Sequence, residues 1–280
     1  MAELDPVVRI WWIGMSVLGV LNIGLWLWMF RAMRTRSLTK LERAQLILSA
    51  IYVAGCVSRS FVLRSDVARF AMFDSWFSTV LVGRSIATVA EVSFAGQWAL
   101  LLWWLSQRTE QPTARVLSFP IVPLLATAQC CAWYGVLTTN YVGQTVEESL
   151  WTTGALVFMT GLFLCRRTAG DRLRPFLTSG LVLCAGYVLF MATIDVPNYY
   201  KLWQAKEAAG ATYLTLAEGL QDVQNMKITG SYEDWRYPMV WQTLYFSIAV
   251  WISLAMAWYP CHLRRTDSAS AFPTHGTNSG

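Results

Sequence analysis

Histidine is almost absent from this chain. Its 280 residues hold two, His262 and His275, both near the C-terminal end. Zinc, haem and di-iron sites inside a membrane draw on clustered imidazole ligands. The sequence therefore excludes such sites, and with them the histidine-dependent seven-helix hydrolases. Ser-His-Asp catalysis fails on the same count, and Gly83-Arg84-Ser85-Ile86-Ala87 lacks the closing glycine of a nucleophile elbow. No glycine loop that cradles phosphate is present, and no N-x-S/T sequon. No cofactor and no metal is expected.

Charge is scarce as well. Charged residues make up 14% of the chain, against about 25% in an average soluble domain. The six cysteines (Cys56, Cys130, Cys131, Cys165, Cys184 and Cys261) fall within apolar stretches or at their ends. They read as small apolar residues and not as a disulfide framework.

Apolar runs are what the chain has in plenty. Seven of them, approximately 10–30, 46–63, 77–105, 116–139, 150–165, 176–196 and 239–259, are separated by charged loops. Each is near the roughly 20 residues that a helix needs to cross a hydrocarbon core of about 30 Å. The fold class expected is an all-α membrane protein, a seven-transmembrane-helix bundle. Residues 1–265 form its single membrane domain, and the Ser/Thr/Gly/Pro-rich stretch 266–280 reads as a disordered cytoplasmic tail. The first run is not a cleavable signal peptide: two acids accompany the one base in its flank, and no A-x-A-like site follows. Spans 6 and 7 contain no lysine, which removes a retinal Schiff base. Span 3 ends in Ser106-Gln107-Arg108 and span 7 lacks Asn-Pro-x-x-Tyr, so G-protein-coupled receptors share the layout alone.

Most of the arginines lie in loops 31–45, 106–115 and 166–174 and after residue 259, whereas the opposite ends offer Arg9, Arg64 and Arg69. The positive-inside rule puts the N-terminus outside and the C-terminus in the cytoplasm. A topogenic role accounts for the net charge of +5 without a nucleic-acid partner. The expected location is a cell or inner membrane. Tryptophans near span ends, among them Trp11, Trp28, Trp76, Trp151, Trp235 and Trp258, read as an interfacial belt.

The segment 197–238 is the one long connection and is expected to form an outer lid. Its middle, 205–226, has an approximate helical stripe of Leu214, Leu216, Ala217, Leu220 and Val223, which predicts an outer amphipathic helix either over the mouth of the bundle or in the membrane interface. Span 6 is expected to end at Asp195, ahead of Val196-Pro197, because the residue before proline avoids the α region. A faint repeat pairs Ala54-Gly55-Cys56-Val57 with Ala185-Gly186-Tyr187-Val188, and Asp66-Val67 with Asp195-Val196. It predicts a 3+1+3 plan, in which two like-oriented triplets need one linking helix.

In span 3, Gly83, Ala87, Glu91, Ala95 and Ala99 recur every four residues, a small-residue row that marks close helix packing. Glu91 therefore faces protein. Arg84 stands two turns before it on the same face, within reach of long side chains though not of a certain pair. An ionisable group at membrane depth costs at least about 2.5–3.5 kcal/mol and persists when paired or used. Arg59, Asp66, Asp74 and Asp195 lie at the outer ends of spans, and Gln97 lies further along span 3.

These residues are the candidate ligand-binding set: Arg59, Arg84, Glu91, Asp66, Asp74, Asp195 and Gln97. The function expected is binding or transport of a small or lipid-like molecule at an outward-facing polar pocket, with membrane lipids as the other partner. Two alternatives remain open. One is a metal-free acid–base enzyme acting on a lipid or isoprenoid. The other is a structural subunit whose buried charges only specify packing.

Overall fold

The computed structural model describes residues 3–35 and 37–270, with the backbone alone for 266–270. Seven helical units are long and apolar enough to cross a membrane, which makes this a multi-pass integral membrane protein of nearly all-helical build. The first five are α1 (Pro6–Arg34), α2 (Lys40–Phe61), α3 (Val80–Arg108), α4 (Pro112–Ser118) continuing into α5 (Ile121–Thr138), and α6 (Tyr141–Thr168). The sixth is α7 (Arg174–Phe190) followed by α8 (Val196–Ala208). After a short α9 (Leu216–Asp222), the seventh is α10 (Tyr232–Leu244) followed by α11 (Val250–Ser270). Residues 271–280 of the expected tail lie outside the described residues.

Hydropathy marks the part of a helix that hydrocarbon covers, while capping chemistry sets where the helix begins. Asp5 accepts a 2.8 Å hydrogen bond from the Val7 N–H, with Pro6 in the first turn. Thr39 and Glu42 form a capping box at the start of α2. The Asn140 side chain accepts from the Val142 N–H at 3.0 Å and starts α6 at Tyr141, well ahead of the apolar run at 150.

Two expectations for span 6 and its loop are overturned. The helix does not stop at Val196-Pro197 but runs on to Ala208 through a π turn, Met191–Asp195. Val196 is itself α-helical at φ −57°, ψ −47°, and its N–H donates to the Met191 carbonyl. The wide turn has already given up the ordinary i→i−4 pattern, so the missing N–H of Pro197 is accommodated. The single outer helix over 205–226 is also absent. Gly210, at φ +66°, ends α8: its N–H reaches the Glu207 carbonyl and that of Ala211 reaches Lys206, both at 3.0 Å, a Schellman closure. The chain then restarts as the short α9 behind a Thr215–Glu218 capping box.

Three two-residue strands, β1 (Arg64–Ser65), β2 (Phe70–Ala71) and β3 (Lys227–Ile228), close one end of the bundle. Arg64 pairs with Ala71 and Ser65 with Phe70 in antiparallel register, while Phe70 pairs with Lys227 and Ala71 with Ile228 in parallel. We call this end the sheet side. The other, where Arg31, Arg34, Arg108, Arg166 and Arg167 close their helices, is the arginine side. Trp235 is buried under the sheet and not in an interfacial belt. Its Nε1 donates to the Thr229 carbonyl at 2.9 Å and its ring meets Phe70 edge-on at 4.9 Å. Trp151 is buried too, against Trp98, whereas Trp28 and Trp76 are exposed as a belt requires.

Small residues set how closely the helices approach. A Cβ on Gly143 would stand 2.5 Å from the Gly135 Cα, so α5 and α6 touch backbone to backbone there. A Cβ on Gly55 would stand 2.6 Å from that of Ala90, which draws α2 onto α3. Gly83, Ala87, Glu91 and Ala95 all face inward, as the row in span 3 predicts. That packing brings charges from α2, α3 and α6, with the neutral Gln129 of α5, together in the sheet-side half.

Candidate functional site

Arg84 and Glu91 do pair, with Arg84 Nη2 at 3.2 Å from Glu91 Oε2. The same nitrogen stands 2.6 Å from Gln129 Oε1 on α5 and 3.0 Å from Glu147 Oε1 on α6. Gln129 closes the ring by donating from Nε2 to Glu91 Oε2 at 2.6 Å. All four side chains are buried. One guanidinium thus stands among two carboxylates, an excess of one negative charge when both are ionised. A third carboxylate, Glu148, follows on α6. It receives no hydrogen bond among the described residues, and the charges of Glu147, Asp195 and Glu91 act on it.

A second charged group roofs this one. Arg59 at the end of α2 and Arg64 on β1 share the carboxylate of Asp66, at 3.6 Å and 3.1 Å. All three are buried, and here the excess is one positive charge. The Arg64 guanidinium lies over Gly83, in the volume a Cβ would take, and donates to the Phe77 carbonyl at 2.7 Å. Its Nη2 has no hydrogen-bond acceptor, and its Nε meets Asp66 off the line of a hydrogen bond. Burial pulls the Arg64 guanidinium down to about 10, with Asp66 opposing the shift and Arg59 adding to it. The Arg59 side chain makes no hydrogen bond among the described residues, and its guanidinium sits 5.8 Å from the Phe246 ring centre.

Cys56 and Tyr245 lie within reach of both groups, and each feels the charges of Arg59 and Glu91. Tyr52 stacks on Phe94 at 4.4 Å and meets Tyr245 edge-on at 6.2 Å. Tyr245 opens a second π turn, Tyr245–Ala249, which joins α10 to α11.

Of the seven residues expected from the sequence, Arg59, Asp66, Arg84 and Glu91 come together. Asp195, in the first π turn, lies half-buried at their edge and accepts from the Tyr237 hydroxyl at 3.4 Å. Asp74 is exposed in the loop before α3. Gln97 belongs to a separate network nearer the arginine side, where its Oε1 accepts from Ser253 at 2.6 Å and its carbonyl accepts from Gln45 Nε2 at 2.9 Å. Glu147 was outside the expected set because the apolar run that defines span 5 begins after it; Asn140, a ready helix cap, is the signal that reveals the extra turns.

Two surface recesses border other parts of the molecule. One, about 510 Å³, lies between the N-terminal residues and Ile228–Ser231; the other, about 280 Å³, lies on the arginine side beside Glu42, Trp104 and Arg264. Among the described residues no group of His, Cys, Asp and Glu side chains has the arrangement of a metal site. Comparison with protein-family models, with curated proteins and with solved structures finds no match to the chain.

Proposed function

We propose that this protein binds or transports a small or lipid-like molecule at a polar site in the outward half of the bundle. The arginine bias puts the sheet side outside and the arginine side in the cytoplasm of a cell or inner membrane. Arg84, Glu91 and Glu147 form the floor of the site, Arg59 and Asp66 its outer wall, and Asp195 its edge. The loop 209–231, with α9 and β3, is its lid. The 3+1+3 plan belongs to this reading on the strength of the matched letters in spans 2 and 6.

The observation that carries the reading is the second carboxylate on Arg84, the 3.0 Å contact with Glu147. A pair that only locks helices together is neutral, because unpaired buried charge is expensive. A guanidinium with two carboxylates around it leaves one negative charge to be met by a proton or by a positive group on a ligand. Glu148, adjacent and without a hydrogen-bond partner among the described residues, favours a second reading. It is the carboxylate placed to exchange a proton with a bound lipid or isoprenoid in metal-free acid–base chemistry.

Gentle purification followed by native mass spectrometry tests the proposal, with wild type compared to Glu91→Gln. A specific adduct present on wild type and lost from a folded Glu91→Gln supports it. Wild type carrying bulk lipid alone, with the variant merely less stable, replaces it with the structural reading.

A further inference from the structure

The two charged groups have opposite excess. Arg59, Arg64 and Asp66 sum to one positive charge; Arg84, Glu91 and Glu147 sum to one negative charge. Both lie in the sheet-side half, and Asp66 is close enough for its charge to act on Arg84. Yet the two poles are not joined by an ion pair among the described residues. Arg59 is 7% exposed, holds Asp66 at a loose 3.6 Å, and donates no side-chain hydrogen bond to a described residue. A guanidinium carries five N–H donors in a fixed fork that suits a carboxylate or phosphate. The Arg59 guanidinium gives none of its donors to a described side chain, and the Nη2 of Arg64 is a fully buried donor without an acceptor; beside them both carboxylate oxygens of Asp66 are buried without a hydrogen bond.

One aromatic and one thiol side chain, those of Tyr245 and Cys56, border the interval between the poles. Tyr245 and Cys56 each feel Arg59 on one hand and Glu91 on the other. Tyr245 is half-buried, so protein does not cover all of its surface. The tyrosine ring is also a good neighbour for an ammonium, through its negative face.

We propose that the site binds a zwitterion, with its acidic group on Arg59 and Arg64 and its ammonium on Glu91 and Glu147, beside Tyr245. This rests on the binding reading above and names the chemistry of its ligand. A ligand of net charge would leave one pole uncompensated in a poorly solvated place, whereas a zwitterion meets both. The shared chemistry is a phosphate or carboxylate a few bonds from an amine, as in a zwitterionic phospholipid headgroup or a free small zwitterion.

Native mass spectrometry of the full chain in detergent provides the test, with equal additions of phosphatidylethanolamine, phosphatidylglycerol or soluble glycerophosphoethanolamine. We expect the zwitterionic species to be retained at least tenfold over phosphatidylglycerol. Retention of phosphatidylethanolamine alone identifies a lipid headgroup; retention of the soluble compound identifies a free zwitterion. Arg59→Gln and Glu147→Gln should each lower that retention about tenfold, while Glu110→Gln, an exposed change on the arginine side, leaves it unaltered. Should Arg59→Gln fail to fold, Arg59→Lys keeps the charge, loses the fork and should still weaken retention severalfold. A specific adduct of net charge overturns the zwitterion and leaves the binding site standing. Equal retention of both lipids, or of neither with no other specific adduct, removes both.

Discussion

The guanidinium of Arg64 occupies the place of the side chain that Gly83 lacks. The contact ties the first strand to α3 and holds Arg64 3.1 Å from Asp66 and 2.7 Å from the Phe77 carbonyl. Gly83→Ala puts a methyl group on that guanidinium and must displace it. Overpacking of this kind costs about 1–3 kcal/mol, and here it also disturbs the buried ion group. Gly14→Ala is the matching control, since a Cβ there meets nothing within 4 Å; it should leave stability unchanged or raise it by up to about 1 kcal/mol through the better helix propensity of alanine. Thermal unfolding in detergent compares the two. Equal melting temperatures would mean that Arg64 finds another place at no cost.

The members of the lower group should differ in what their loss does. Arg84→Gln leaves Glu91 and Glu147 buried without their cation, and breaking a buried pair from one side costs about 3–5 kcal/mol. Glu147→Gln leaves Arg84 paired with Glu91 and keeps the shape of the side chain, so it should cost less than half as much. The double variant should recover part of the Arg84→Gln loss, with a coupling of about 0.5–3 kcal/mol between the two sites. A double-mutant cycle on thermal or denaturant unfolding measures this. If Glu147→Gln proves as damaging as Arg84→Gln, Glu147 is a structural counter-ion and the argument from excess charge fails.

The spans were legible because uninterrupted apolar runs leave little alternative, and the inward face of α3 was legible from the four-residue recurrence of Gly83, Ala87, Glu91 and Ala95. The Arg84–Glu91 pair was half legible: spacing put both on one face, but only the fold supplies Gln129 and Glu147 from two other helices. Helix ends were read less well, because hydropathy is blind to caps. Asn140 begins α6 in a polar stretch, and Glu147 was lost with it. Pro197 was read as a stop since sequence alone does not announce a π turn. The sheet left no trace either, for a strand of two residues has no period to detect.

Arg69 ties the segment around α9, the proposed lid, to the bundle. Held at φ +53° between β1 and β2, it pairs with the Asp222 carboxylate and donates at 2.8 Å to the carbonyls of both Asp222 and Val136. Arg69→Met keeps length and removes the donors. Hydrogen exchange over 216–228 should accelerate at least tenfold, while the spanning helices keep their protection. Uniform acceleration along the chain would show that the lid is not a separate unit of stability.

Acid should loosen the same segment. Hydrogen bonds from the Thr215 N–H and hydroxyl hold the Glu218 carboxyl below its ordinary value of 4.5. A carboxylate with a depressed folded value stabilises the fold above its unfolded value, and that contribution disappears as pH falls through the folded one. Protection factors of α9, corrected for intrinsic exchange, should therefore hold from neutral pH to about 5 and decline below 4.5. Glu218→Gln should flatten this dependence. A decline centred near neutral pH, or one that survives Glu218→Gln, would assign the acid sensitivity to another group.

Sidedness decides whether Arg59, Asp66 and the lid face the exterior at all. On the proposed reading, the positive-inside rule expects the 62–79 loop and the lid outside, and the loops around Glu110 and Asp171 inside. Single cysteines at Asp74 and Ala209, and at Glu110 and Asp171, in a background with the six native cysteines replaced, report this directly. All four positions are exposed. A membrane-impermeant maleimide on intact cells should modify positions 74 and 209 and spare 110 and 171 until the membrane is opened. The reverse pattern would turn the molecule over. The zwitterion site would then open to the cytoplasm, and the ligand would have to be sought among molecules made inside the cell. The charge argument for what the site holds would be untouched, because the excess on each pole depends on Arg59, Arg64, Glu91 and Glu147 and not on which side of the membrane they face.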